Sequence, residues 1–420
     1  MLIDKLLDNE ILISDTITPL YHSDSQRQIK RYQQSLKAFK SYFNDQQINV
    51  FSTPGRVELC GNHTDHQFGK VLAGAINLDA IAVVAKSDDI NIFSEGYAKI
   101  SLALTDLSYQ DNEKYTSQAL IKGILKRFET LNYHIGGFNA YITSDVLNGS
   151  GISSSANFEV LIAKIINYLY NDDQIDSLLI AQIAQYSEIN YFGKPSGLMD
   201  QIACNHGGIV GIDFADHNKP KVNSIELDLH KYDLDLILVK TRSSHDDLSE
   251  EYGLMVSEMK LVAKYFQKDV LSQVDPLDFY QNIAKLSVLD NDRAILRAHH
   301  FFQETKRVDD AFLALEKNDM PLFLNILKTS GYSSYMYLQN IFANNDHQHQ
   351  QLALALAMSE KKLAGLGAAF RVHGGGLGGT ILVLCPSYFT QNYIKFMNQI
   401  FDWDCCLKLE IRNQGSICVF

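Results

Sequence analysis

The sequence predicts a chain of two or three domains in which helices and strands mix, large enough to leave a cleft between packed units. Three observations carry this. The length is 420 residues, against roughly 150 per domain. Segments with helical apolar spacing alternate with strand-like runs. A polar, Pro-containing stretch, ADHNKPK at 215–221, separates two of those runs and marks a domain boundary. A hydrophobic fraction of 46% with 20% charged residues belongs to a folded globular chain rather than a disordered one. With 37 Lys+Arg against 49 Asp+Glu the net charge is −12. That argues against a nucleic-acid partner, whose binding surface carries a basic stripe.

Taken in order, the first segment MLIDKLLDNEILI is interrupted by Asp4, Lys5, Asp8, Asn9 and Glu10, so it offers no signal-peptide core. The first twenty or so residues are expected at most to pack as an added helix. Residues 23–43 place apolar side chains at helical spacing after capping types and predict an exposed amphipathic helix on the first domain. From 50 to 86 the short runs Val57–Leu59, Val71–Leu72 and Ile81–Val84, separated by Gly and polar residues, predict a meander of short strands. GGFNAYITSDV at 136–146 alternates like a strand. The Gly/Ser segment after it opens into a helix whose one face carries Phe158, Leu161, Ile162, Ile165, Ile166 and Leu169. A second helix covers 177–192, followed by the loop GKPSG and the segment LMDQIACN. GIVGIDF and LDLILVKT read as strands on either side of the boundary. Long helical stretches then alternate with strands up to FRVHGGGLGGTILVLCP. No apolar run approaches the roughly 18 residues of a membrane span. The six cysteines, Cys60, Cys204, Cys385, Cys405, Cys406 and Cys418, include no CxxC pair, so neither a disulfide framework nor a zinc site is expected, and the chain reads as reduced and cytoplasmic.

Three segments concentrate chemistry. Gly149-Ser150-Gly151-Ile152-Ser153-Ser154-Ser155-Ala156 is a small-residue loop running into a helix. Glycines permit close backbone approach, and the helix N-terminus favours an anion such as phosphate. Ser154 or Ser155 hydroxyls suit Mg²⁺ coordination, while the plainer alternative is an N-cap after a flexible turn. A P-loop is absent, because Gly69-Lys70 is followed by Val71. Gly374–Gly379 satisfies GxGxxG, but TILVLCP after it reads as a strand where a Rossmann turn requires a helix. It is a tight loop over a ligand or simply a hairpin bend. Finally, RVELCGNHTDHQ at 56–67 collects Arg56, Glu58, Asn62, His63, Asp65 and His66. Hydrogen bonding to a polyhydroxylated ligand uses these side chains well; a metal site at His63, Asp65 and His66 is the alternative. Asp200 in SGLMDQ is a lone carboxylate, by itself a helix cap or a base.

Together and in this order, PGRVELCGNHTDH at 54–66, GSGISSSA at 149–156, SEINYFGKPSGLMDQ at 187–201 and HGGGLGGT at 373–380 resemble the galactokinase branch of the GHMP small-molecule kinases. The resemblance covers the chain from about Ser23 to its last strand. It implies an α+β fold of two domains with the active site in the cleft between them: residues 1–217 similar to the second domain of ribosomal protein S5, and 218–420 similar to a ferredoxin-like sandwich. It further implies an ATP-dependent sugar 1-kinase. Asp200 faces the anomeric hydroxyl as general base or electrostatic anchor, and Arg56 holds it ionised and stabilises the transferring phosphoryl group. Asn62, His63, Asp65 and Tyr252 match sugar positions. Gly149, Ser150, Gly151, Ser153, Ser154 and Ser155 match the ATP-phosphate loop, with Gly375 and Gly376 closing over it. Ser155 and Glu188 match the magnesium positions. ATP, Mg²⁺ and a small sugar are the expected ligands of a monomeric chain, with no nucleic acid or membrane partner.

The departures concern the sugar side. Asn62 stands where the family carries Glu, Glu58 where it carries Asn, His66 where it carries Tyr, and Leu147 and Asn148 alter the second motif. Losing a carboxylate at Asn62 and gaining amide donors would suit a substrate bearing its own carboxylate, and HTDHQ also resembles galacturonate kinases. Galactose is expected first, with galacturonate or another galacto-configured sugar as the alternative. A non-catalytic sugar and ATP sensor is the alternative from another class.

Overall fold

The computed structural model describes the chain except residues 147–150, 195, 243–248 and 344–345. The first sheet contains β1 (Asn49–Cys60), β2 (Lys70–Ser87), β3 (Ile90–Ser94), β4 (Ile100–Leu102), β5 (Gly137–Ser144), β6 (Ile209–Asp213) and β7 (Lys221–Ile225). A second, four-stranded antiparallel sheet contains β8 (Leu234–Lys240), β9 (Ala369–His373), β10 (Thr380–Pro386) and β11 (Cys406–Leu409) in the order β11-β8-β10-β9. The last strand, β12 (Ile417–Cys418), returns to β1, so the first sheet has eight strands and runs β12-β1-β2-β5-β3-β4 with β6 on β2.

The expected meander is corrected here. Val71–Leu72 and Ile81–Val84 belong to one 18-residue strand, β2, whose first half pairs with β6 and whose second half pairs with β5. The strand is buried almost throughout, so its solvent alternation is lost. Gly74 inside it is no turn: a Cβ there would lie 2.8 Å from Ile209 Cδ1, which is close packing that glycine permits. Residues 215–220 join β6 to β7, an antiparallel pair within the first sheet, whereas the second sheet begins at Leu234. The passage between sheets therefore lies at 226–233, later than the polar stretch that marks the boundary in sequence.

Helices Ser117–Thr130, Ser154–Tyr170 and Ser177–Ser187 cover one side of the first sheet, joining Ile121, Ile124, Leu161, Ile165 and Ile183 to Phe51, Ala82 and Ile142. An apolar layer of Val57, Leu59 and Leu72 with Leu236, Leu238, Leu382 and Leu384 joins the two sheets. Helices Glu10–Tyr21 and Ser25–Tyr42 seal another face through Ile13, Ile17, Tyr32 and Phe39 against Ile81 and Val83. The segment 23–43 is thus a helix as expected, but one whose inner stripe is fully buried. Among the described residues no helix is long and apolar enough to cross a membrane.

One buried carboxylate holds these layers in register. Asp79 on β2 is fully buried; it accepts from Arg31 Nη1 at 2.6 Å, Arg412 Nη1 at 3.0 Å and the hydroxyls of Tyr21 and Ser52. Arg31 comes from the N-terminal helices and Arg412 from the C-terminal segment, so both chain ends converge on one residue. Removing one guanidinium leaves buried charge with fewer partners. Arg412→Met is accordingly expected to lower unfolding free energy by about 3 kcal/mol, read as a fall in the urea midpoint with the slope unchanged.

Candidate active site

Register shifts in β1 opposite β2 fall between Pro54 and Arg56 and between Glu58 and Cys60, on either side of Arg56 and Glu58. Arg56 grips Asp200 bidentately, Nε to Oδ1 and Nη2 to Oδ2, both 2.7 Å. Asp200 lies in the first turn of helix Met199–His206, where a negative charge is favoured. The Ser153 hydroxyl donates to Asp200 Oδ2, and Arg56 Nη1 donates to the Gly151 carbonyl. Burial alone would raise the Asp200 carboxyl; the charge and hydrogen bonds of Arg56, with that of Ser153, hold it below the ordinary range. Its side chain keeps 30% exposure, against 7% for Arg56. The result is an ionised, oriented carboxylate open to the cleft.

Gly149 and Ser150 of the small-residue loop lie outside the described residues. Past them, Gly151 has φ +73° and Ser153 φ +64°, the left-handed region that serine rarely occupies. Helix Ser154–Tyr170 follows at once. Ser153 stands at its N-cap but makes no side-chain cap, because its hydroxyl is turned to Asp200. The capping alternative therefore fails, and the first-turn N–H groups of a 17-residue helix have no side chain answering them at that cap.

Ser155 Oγ donates to Glu188 Oε1 at 3.0 Å. Glu188 is 2% exposed and begins a π-helical turn, Glu188–Phe192, that closes the helix Ser177–Ser187. Gln201 Nε2 bridges Glu188 Oε2 at 3.0 Å and Glu159 Oε2 at 3.1 Å. Burial, and then the charge of Glu188, pushes Glu159 well above the ordinary carboxylate range. A hydroxyl and a carboxylate oxygen in contact are the hard donors Mg²⁺ takes when it keeps most of its waters. Among the described residues no group of three or more His, Cys, Asp and Glu side chains is placed to hold a metal ion, so His63, Asp65 and His66 do not form the alternative metal site.

Those residues instead fasten the two halves of the cleft. His63 Nε2 donates to the Gly375 carbonyl at 2.9 Å, and Tyr252 donates from its hydroxyl to the Gly376 carbonyl at 3.0 Å. The His63 and Tyr252 rings stack with centroids 6.0 Å apart. Asp65 faces Gly197, where a Cβ would lie 2.1 Å from its Oδ2. The Gly374–Gly379 run is the antiparallel link between β9 and β10. Its position over the site rests on Gly376, φ +76°, where any Cβ would meet the Asn340 carbonyl at 2.1 Å. Asn62 is corrected as a group facing ligand. It is fully buried, donating to Glu58 Oε1 at 2.9 Å and Gly374 O at 2.7 Å while Oδ1 accepts from Ser334 and Asn340.

Behind the cleft lies a polar wall that the sequence motifs did not announce. Arg371 Nη2 donates to Glu58 Oε1 at 2.9 Å, and the Glu58 N–H donates to His373 Nε2 at 3.2 Å. His300 Nε2 donates to the Asn62 carbonyl at 2.9 Å. Burial pushes Glu58 up to about 7, His66 down to about 3 and His300 down to about 4. Glu304, whose burial is outweighed by nearby positive groups and hydrogen bonds, lies at about 2.

These shifts fix a pH dependence. His63, His66, His299, His300 and His373 are all held below the ordinary imidazole value in the fold and charge on unfolding, so they remove stability as pH falls through about 6.5. Glu58, Asp65 and Glu159, raised in the fold, take up protons there first and offset part of that loss. Below about 4.5 that offset ends, and Glu304 begins to lose its contribution as well. Urea midpoints are expected to decline as pH falls below about 6.5 and more steeply below about 4.5. Midpoints that stay level down to about pH 4.5 overturn this accounting of the buried groups.

Residues 37–86 match the galactokinase galactose-binding signature, and residues 119–208 match the GHMP kinase N-terminal domain. A galactokinase of Clostridium tetani is 30% identical over 302 residues, covering 71% of this chain and 76% of that protein. The chain belongs to the galactokinase family of GHMP kinases. Another member, a galactokinase of Streptococcus thermophilus, is 27% identical over 87% of this chain and 92% of its own. In fold, the chain is similar to Lactococcus lactis galactokinase complexed with galactose, with TM-score 0.77 at 21% identity over 91% of this chain and 98% of that one. A mevalonate kinase structure aligns at TM-score 0.59 and 18% identity over 87% and 99%. The two-domain α+β GHMP fold expected from the resemblance is the fold observed. As a galactokinase-family member the chain is a phosphotransferase acting on a sugar hydroxyl, with ATP as phosphate donor.

Sequence reasoning missed Lys194, Glu159 and Gln201 around Glu188, and Arg371, His373, Asn340 and His300 in the wall. A signal existed for Glu159, four residues after Ser155 and so on the same helical face. None existed for His300 and Asn340, which reach the site only because helices of the second half pack against β1.

Proposed function

We propose that the chain transfers the γ-phosphate of ATP to the anomeric hydroxyl of galactose. The observation that supports this best is the Arg56–Asp200–Ser153 constellation set beside an uncapped helix N-terminus. Phosphoryl transfer demands positioning and charge neutralisation more than strong bases. Asp200, held below the ordinary range by Arg56, is a weak base suited to that demand. It accepts a hydrogen bond from the sugar hydroxyl, orients the oxygen, and takes the proton late, as the bond to phosphorus forms. Arg56 keeps the carboxylate ionised and faces the developing phosphoryl charge. Gly151 and Ser153–Ser155 present backbone N–H groups to the nucleotide phosphates. Ser155 Oγ and Glu188 Oε1 would hold Mg²⁺, which would neutralise phosphate charge. His63, Asp65 and Tyr252 bind sugar hydroxyls, and Asn62 supports them from behind.

Galactose is preferred to galacturonate because the carboxylate missing at position 62 is present at Glu58, whose Oε1 is 2.9 Å from Asn62 Nδ2. The cleft wall has therefore not lost a carboxyl group. An ADP-release screen over galactose, galacturonate, N-acetylgalactosamine, arabinose and glucose tests this, with galactose expected to turn over fastest. Turnover of galacturonate alone overturns the substrate, and no ADP from any of them overturns the assignment to these sugars.

A further inference from the structure

Lys194 is the cation nearest the proposed metal oxygens, and no role for it follows from the resemblance. Its Nζ lies 3.0 Å from Glu188 Oε1, the same oxygen that accepts from Ser155. The placement is built into the local fold. Gly193 N and Lys194 N both donate to the Glu188 carbonyl, at 3.0 and 3.1 Å, closing the π-helical turn, and Gly193 has φ +87°. The lysine backbone is thereby latched to the residue its side chain neutralises. Glu188 is 2% exposed, whereas the lysine side chain is 55% exposed and can swing away.

Glu188 Oε1 has two lone-pair directions. One receives the Ser155 hydroxyl and the other the Lys194 ammonium, while Oε2 receives Gln201. A divalent ion held by Ser155 Oγ and Glu188 Oε1 would have to share that carboxylate oxygen with the ammonium, and its charge would repel the ammonium. We infer that Lys194 is a positioning residue that occupies the carboxylate in the nucleotide-free protein and keeps its affinity for a bare divalent ion low. Once displaced, the ammonium has the nucleotide's phosphates as its nearest new counter-charge, so metal enters with nucleotide rather than before it. This rests on the reading of Ser155 and Glu188 as the metal oxygens.

The test is Mn²⁺ binding to the nucleotide-free, full-length protein, followed by the electron paramagnetic resonance of free Mn²⁺. Lys194→Met is expected to bind Mn²⁺ about fivefold tighter than the parent, the scale of one lost partly exposed ion pair. Lys194→Arg, which retains the charge, should stay within about twofold of the parent on the same scale. Glu188→Gln should bind markedly more weakly than all three. Equal or weaker binding by Lys194→Met, with Glu188→Gln still weak, overturns the role of the lysine alone. Glu188→Gln binding as tightly as the parent overturns the metal-site reading beneath it. Circular dichroism confirms that each variant is folded.

Discussion

Asp200→Asn is expected to lower turnover by about 10²–10⁴-fold, the range typical of a positioned acid–base group, while leaving sugar binding nearly intact. Asparagine is isosteric and keeps one acceptor oxygen for Arg56, which now meets Asp200 through two bonds of 2.7 Å. What disappears is the full negative charge that orients the hydroxyl and receives its proton. The loss should therefore fall on kcat, since the interaction strengthens as the hydroxyl gives up its proton. Stability should decline by only about 1–3 kcal/mol, because Arg56 loses its counter-charge but keeps the Gly151 carbonyl. Coupled ADP release at saturating sugar and ATP, with calorimetric sugar binding, checks both halves. Parent-like turnover would remove Asp200 from the chemistry. Arg56→Lys separates orientation from charge: lysine retains the positive charge without the bidentate fork. A fall of about tenfold or more in kcat for Arg56→Lys, with the sugar KM unchanged, is expected if the fork itself sets the carboxylate's angle.

How much of this was readable in the chain depends on whether a residue acts through its neighbours in sequence or through packing. Arg56, Asp200, Ser155 and Glu188 sit in local motifs, so each is readable in the sequence, and the hydrogen bonds pair Arg56 with Asp200 and Ser155 with Glu188. The helix after the Gly/Ser loop and the hairpin around Gly374–Gly379 were legible for the same reason, because a Gly run between strand-like segments states its own geometry. β2 reads as separate pieces in the sequence, since a strand buried on both faces loses the period-two pattern and Gly74 looks like punctuation. The boundary reads early at 215–221 because its polarity marks a hairpin turn as readily as a linker. Asn62 shows the sharpest limit. Its chemistry in isolation pointed outward to a charged substrate, whereas Asn340 and Ser334, distant in sequence, take up its carbonyl oxygen and turn it into a wall residue.

That wall makes a second large effect measurable. Relative to the family pattern the acidic and amide residues at 58 and 62 are exchanged, and the structure puts them in contact, Asn62 Nδ2 to Glu58 Oε1 at 2.9 Å. Glu58 also neutralises Arg371, which is 1% exposed and whose Nε and Nη1 are buried without hydrogen-bond partners. Glu58→Asn alone strands that guanidinium and is expected to lower unfolding free energy by about 3–5 kcal/mol. Asn62→Glu alone sets a second carboxylate against Glu58 at a fully buried position and deprives the Gly374 carbonyl of its donor. One acid must then stay protonated, at a cost of about 3 kcal/mol or more. The exchanged double variant restores one carboxylate and one amide, so it should recover most of both losses, a coupling of about 3 kcal/mol in a double-mutant cycle. Urea unfolding of the four proteins reads this directly. Losses that simply add would mean the two side chains do not act as a unit. The same double variant in the ADP-release screen should keep the parent's sugar preference, because neither side chain offers the cleft a free polar group in this arrangement. A switch of preferred sugar would instead make position 62 a determinant of specificity and return the amide to the role its sequence position implied.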